Sequence, residues 1–148
     1  MAVHAVGGHN HRSHPEFAAR EAAGVSWMSE GFRAAAAEAS AAVVVFMQAD
    51  PLFDRPSEER EGFNALLEML AAESARWDKP VLIAHGDTHT FRVDRPLVDR
   101  AETPVPNVLR LETFGSPVVG WVEVSFDPSR PEPFSARGRT VGTGLQAD

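Results

Sequence analysis

Val81-Leu82-Ile83-Ala84-His85-Gly86-Asp87-Thr88-His89 is an apolar run that stops on two imidazoles and a carboxylate. Four apolar residues without polar alternation, two of them β-branched, suit a strand buried on both faces, as in a parallel sheet. The run follows Trp77-Asp78-Lys79-Pro80, which ends a helix. That helix carries Phe63, Leu66, Leu67 and Leu70 on one face, with Ser57 predicted as its cap. Before it, Ala42 to Met47 is a second apolar, β-branched run, also predicted to be buried on both faces, and it stops at Gln48-Ala49-Asp50-Pro51. Residues 42–84 therefore predict a strand–helix–strand unit, which in a parallel sheet crosses over right-handed. The two polar clusters then sit side by side at the carboxyl ends of neighbouring strands, where open α/β sheets bind ligands.

Outward from this unit the pattern changes. Met1 to Val6 predicts a short strand, followed by a polar loop, Gly7-Gly8-His9-Asn10-His11-Arg12. Ser13 and Glu16 have capping-box spacing with Pro15 in the first turn. The helix they open is predicted to reach about Ser40, with Val25, Met28, Phe32, Ala35, Ala36 and Ala39 forming its apolar stripe. After His89, Phe91 to Pro106 reads as loop, with Pro96, Pro104 and Pro106. Val108 to Phe114 and Val118 to Phe126 predict an antiparallel pair joined by Gly115-Ser116-Pro117, and a last strand is predicted near Phe134 to Arg137. Val122, Val124 and Phe126 alternate with polar residues, as on a half-exposed sheet. The chain predicts one domain over 1–141 and a flexible tail over 142–148.

Composition narrows the possible functions. At 148 residues the chain can bury roughly 70% of its unfolded surface and needs no covalent staples. It has no cysteine, which removes disulfides and thiolate metal sites. A net charge of −7 disfavours binding to nucleic-acid backbones and anionic membranes. Lys79 is the sole lysine among many arginines, a bias read as genomic and not functional. No signal peptide and no apolar run long enough to cross a bilayer is seen, so a cytoplasmic location is expected.

Three groups of residues carry candidate chemistry. His85, Asp87 and His89 alternate, so an extended chain places them on one face, and imidazole with carboxylate suits Zn, Fe or Mn. Read as structure alone, the same residues are a polar strand end, a turn cap and a surface histidine. Gln48 and Asp50 close the neighbouring strand and can approach the His85 loop, or can simply begin a turn. The N-terminal histidines, with His9 and His11 foremost, suit a loop that takes up metal, or a plain helix approach. A mononuclear site built on these histidines is a third, weaker expectation. The chain has no Walker loop, no G-x-S-x-G elbow and no dinucleotide fingerprint. No nucleophile or general base is assigned.

Together, Val81 to Phe91, Asp94-Arg95-Pro96-Leu97, Phe46-Met47-Gln48-Ala49-Asp50, Asn107 to Gly115 and Trp121-Val122 resemble the C-terminal half of a bacterial subgroup of calcineurin-like metallophosphoesterases. The likeness runs from about His4 to Arg137. It implies a partial α/β sandwich, with a parallel strand–helix–strand core and an antiparallel C-terminal hairpin. It also implies a divalent-metal site of the Mn, Fe or Zn class acting on a phosphoester. Gly86-Asp87-Thr88-His89 is similar to the family's Gly-His-x-His with Asp87 in place of the first histidine, and Gln48 stands where a single histidine is usual. Asp87, His89, His85 and Gln48 are thus the implied ligands or their orienting neighbours, with Asp50, His9 and His11 as accessories. The family's earlier Asp-x-His, Gly-Asp and Gly-Asn-His motifs are not found. The expectation is a hydrolase domain truncated by its gene start or completed by an N-terminal partner, or else a non-catalytic interaction, regulatory or degenerate form. Missing strands would leave an open edge near Ala2 to Val6, so a homo-oligomer or heteromer is expected.

Overall fold

The computed structural model describes residues 1–5, 15–60 and 62–141. The N-terminal loop with His9 and His11, the Ser13 cap and the 142–148 tail lie outside the described residues. The elements are α1 (Pro15–Ala37), β1 (Val43–Phe46), α2 (Asn64–Trp77), β2 (Val81–His85), β3 (Arg92–Asp94), β4 (Val108–Glu112), β5 (Gly120–Phe126) and β6 (Phe134–Thr140). They form a mixed α/β structure with a four-stranded sheet, order β1-β2-β4-β3, and a separate two-stranded β5-β6 hairpin. Among the described residues no helix is long and apolar enough to cross a membrane.

The strand–helix–strand reading holds. β1 and β2 pair in parallel with Val43 opposite Val81 and Phe46 opposite Ala84. β2 pairs in parallel with β4, Val81 opposite Val108. Side chains alternate across each strand, so Val81, Ile83 and Val108 face the helices while Leu82, Ala84, Leu109 and Leu111 face the hairpin. On the helix side, Met28 and Phe32 of α1 and Leu66, Leu67 and Leu70 of α2 close a core with Val43, Val45, Phe53 and Phe63. Phe32 meets Trp77 edge to face at 6.5 Å, and Ser29 donates to Glu73 at 3.0 Å, locking the two helices together. α2 stops where Asp78 turns left-handed, φ 52°, and its N–H returns to the Ser74 carbonyl.

Several expectations are corrected. Val44 is half-buried and Phe46 is 55% exposed, so β1 is buried on one face only. The hairpin covers β2 and β4 and stops short of β1. Val108 to Phe114 does not pair with Val118 to Phe126. β4 is instead a central strand, buried at all five residues, while β5 pairs with β6, Phe126 opposite Phe134. Continuous burial, not hairpin alternation, is the signature of Val108 to Glu112. The Phe91–Pro106 stretch contains β3, whose Val93 pairs antiparallel with Leu111. Ser57 does not cap α2. It lies in a turn, its carbonyl accepting from Asn64 Nδ2 at 2.9 Å, and the helix begins seven residues later without a side-chain cap. Asp54 to Glu59 are all exposed, so nothing apolar holds a helical turn there against the core. On α1, Ala36 and Ala39 are exposed, and Ala39 lies past the helix end.

Met1 to Val3 runs along β1 and does not form an open edge. Val3 N–H donates to the Phe46 carbonyl at 2.9 Å, Phe46 N–H to that of Met1 at 2.9 Å, and the terminal ammonium to that of Val44 at 2.6 Å. This segment covers the outer side of β1.

Leu70 has no exposed surface and sits where α2 meets the sheet. Leu70→Ala is expected to lower unfolding free energy by about 2–5 kcal/mol, read from urea denaturation.

Candidate functional site

Parallel pairing places the carboxyl ends of β1, β2 and β4 on one edge. The ladder continues past them. Met47 N–H donates to the Ala84 carbonyl at 3.0 Å, Gly86 N–H to Gln48 at 3.2 Å, and Thr113 N–H to His85 at 2.9 Å. Three loops are thereby fixed side by side.

Gln48 and Asp87 meet on this edge. Gln48 Nε2 donates to Asp87 Oδ1 at 3.4 Å, and Asp50 N–H reaches Asp87 Oδ2 at 3.4 Å. Both are long contacts on an exposed surface. The Asp50 carboxylate is occupied elsewhere, accepting from Leu52 N–H at 3.0 Å in a tight turn. Asp87 has φ 85° and His89 φ 63°, left-handed values that Asp and His tolerate better than most residues. This double reversal ends the extended chain, so His85, Asp87 and His89 do not share a face.

The three side chains go three ways. His85 is 2% exposed and turns to the helix side, its ring 6.0 Å from Phe53. Its Nδ1 lies 3.1 Å from the Gly86 carbonyl, and its Nε2 is buried without a hydrogen-bond partner among the described residues. His89 swings to the β4–β5 loop, with Nδ1 2.8 Å from the Ser116 carbonyl. A carbonyl accepts only, so Nδ1 carries the proton and Nε2 keeps its lone pair in the neutral ring. The ring lies on Gly115, where a Cβ would come within 2.6 Å of Cδ2; any side chain there would push His89 away.

Sequence reasoning missed a charged cluster on the helix side of the same edge. Arg110 is 1% exposed and holds Asp94 bidentately, Nε to Oδ1 at 2.6 Å and Nη2 to Oδ2 at 2.5 Å, with Nη1 3.1 Å from Asp54. Its guanidinium lies over Phe53, 5.4 Å from the ring centre. Arg92 binds Asp54 at 2.5 Å and lies 3.4 Å from Glu112, which is 1% exposed and accepts from the Thr88 hydroxyl. The signal was Arg110 and Glu112 at alternate positions of a strand otherwise apolar. Two charges on the helix side of a buried strand require partners, and β3 and the loop after β1 supply them.

The resemblance implies divalent metals held by imidazoles and carboxylates. The residues present do not fit that group. Among the described residues no three His, Asp or Glu side chains converge as a ligand set. His85 is walled off behind β2, His89 is held by Ser116, and Glu112 is engaged by Thr88 and Arg92. Gln48 and Asp87 alone face each other on the open edge. On the hairpin side a cleft of about 500 Å³ opens from this edge, lined by Val44, Phe46, Leu82, Ala84, Val122 and Val124, with Gln48, Gly86 and Thr113 at its polar end.

No protein-family model, curated protein or solved structure matches the chain.

Burial pushes the Asp54 carboxyl up, but the hydrogen bonds and charges of Arg110 and then Arg92 outweigh it and hold the group below its usual range. A depressed folded value means the contribution to stability is complete above the unfolded value of 3.8 and is lost as pH falls through the folded one. Urea midpoints taken from about pH 5 down to about pH 2 are therefore expected to fall less steeply in Asp54→Asn than in the parent protein.

Proposed function

We propose that this chain forms one wall of a phosphoester-hydrolase site of the metallophosphoesterase type and does not hydrolyse phosphoesters by itself. The observation that carries this reading is the meeting of Gln48 and Asp87 across the ends of two parallel strands, with the β2 loop carrying on to His89. These are the three positions at which the sequence resembles the family's ligand motifs. Their loops lie on one edge, where amide and carboxylate oxygens face an open surface. Among the described residues nothing at this edge neutralises a phosphoryl group, because its arginines are tied to Asp54, Asp94 and Glu112. The remaining cationic groups would have to come from beyond the described residues.

A second reading, a non-catalytic interaction module on the same scaffold, draws on the absence of a converging ligand set among the described residues. Two experiments bear on these readings, and the second separates them. Titration calorimetry of the purified chain with manganese is expected to show no site tighter than about millimolar on either reading. The coding region extended upstream to the nearest in-frame stop is then expressed and assayed for manganese-dependent hydrolysis of an aryl phosphodiester. The hydrolase reading expects turnover that falls roughly 100-fold in Asp87→Ala and in His89→Ala. Turnover indifferent to both substitutions, or none at all, leaves the interaction module.

A further inference from the structure

The hairpin has an edge that the rest of the molecule leaves open. β5 and β6 run antiparallel, Trp121 opposite Arg139 and Val124 opposite Ala136. Val141 N–H donates to the Val119 carbonyl at 2.8 Å, and Asp127 N–H to that of Pro133 at 2.8 Å. Hydrogen-bonded positions in an antiparallel ladder recur at every second residue. Trp121, Glu123 and Ser125 therefore turn their backbone groups toward β6. Gly120, Val122, Val124 and Phe126 turn theirs outward, and no backbone hydrogen bond joins these outward groups to other described residues.

The side chains of the same residues are under-covered. Val122, Val124 and Phe126 share the hairpin face that carries Phe134 and Ala136, which pack against Leu82, Ala84, Leu109 and Leu111. Yet Val124 is 41% and Phe126 39% exposed, and Phe46 across the cleft is 55% exposed. β5 lines that cleft and β6 does not, so the free side of β5 faces the exposed Phe46 of β1. A strand added there would pair the outward backbone groups and extend the second layer over Phe46.

We propose that the occupant is β5 of a second copy of this chain, antiparallel about a two-fold axis at Val124. The strand is self-complementary in that register. Over residues 122–126, Val124 meets Val124, Val122 meets Phe126 and Glu123 meets Ser125, so each apolar side chain of that span finds an apolar one and no like charges oppose; Gly120 and Pro128 pair only beyond it, as do Trp121 and Asp127. The other outward-facing centres are poorer. A two-fold at Val122 sets Gly120 against Val124. One at Phe126 sets Pro128, which has no N–H, against Val124. The product is a four-stranded antiparallel sheet made from two hairpins, each of which is marginal as an isolated ribbon. This dimer does not depend on the phosphoester reading; its test measures association alone, and hydrolysis assays leave it untouched.

Sedimentation velocity of the full chain from about 1 µM to about 500 µM is expected to show a monomer–dimer equilibrium, with Kd on the order of 10 µM for so narrow a contact. Val124→Pro removes an outward N–H and spares the β6 ladder; it is expected to raise Kd at least about tenfold. Ser125→Arg sets a cation against Glu123 of the other copy twice, and is expected to lower Kd by roughly two- to tenfold. Far-UV circular dichroism and thermal midpoints establish that both variants fold. A monomer at the highest concentration overturns the proposal. So does a dimer whose Kd neither variant moves, or a dilute monomer whose Val124 amide is already protected from hydrogen exchange, since that edge would then be covered by its own chain.

Discussion

The fold depends on β2 having a parallel neighbour on each side. Parallel pairing with β1 and β4 removes every backbone group of Val81 to His85 from water, and all five residues are buried. A strand so enclosed tolerates no register slip, because a shift by one residue would exchange its helix-facing and hairpin-facing sets. With register fixed, three carboxyl ends are fixed on one edge, and the hydrogen bonds of Met47, Gly86 and Thr113 carry that order into the loops. The meeting of Gln48 with Asp87 follows from sheet geometry more than from any attraction between them, since both contacts to the carboxylate are 3.4 Å long.

The same alternation that builds the sheet divides the candidate site. His85 is the last residue of β2 and falls on the helix face by parity with Val81 and Ile83, so it is drawn beneath Phe53 and away from the edge. Arg110 and Glu112 fall on that face of β4 by the same parity. Burying them costs desolvation that only close partners offset. Asp94, Asp54, Arg92 and Thr88 provide those partners, tying β3 and the post-β1 loop to the central strand. The cluster is thus a structural clamp beside the open edge, and it leaves its arginines no capacity to hold a substrate anion.

Much of this was legible in the sequence, for reasons that can be named. Unbroken apolar runs, a helix with Leu66, Leu67 and Leu70 on one face, and the Trp77-Asp78-Lys79-Pro80 stop are local signals, and they yield the crossover and its shared strand ends. Three kinds of information were not local. The partner of β4 is decided by burial on both faces, and a strand containing Arg110 and Glu112 does not read as buried until their counter-ions are placed. The one-sided exposure of β1 depends on how far the hairpin extends, which no residue of β1 encodes. The scatter of His85, Asp87 and His89 arises from left-handed backbone at Asp87 and His89, where the sequence spacing implied an extended chain.

The two faces of the sheet are finished to different degrees. On the helix side, α1 and α2 bury Met28, Phe32 and Leu70 against the strands, and this layer holds the larger of the two apolar clusters. On the hairpin side five buried residues make the smaller cluster, and Val124, Phe126, Phe46 and Trp121 keep large exposed surfaces. Stability therefore resides with the helices. The hairpin layer can gain or lose a neighbour without endangering the core, because its contribution to burial is small. Scattered exposed apolar side chains are ordinary on protein surfaces. Here two of them, Phe46 and Val124, line one cleft beside a strand with unpaired backbone groups, and the proposed dimer rests on that coincidence and not on exposure alone.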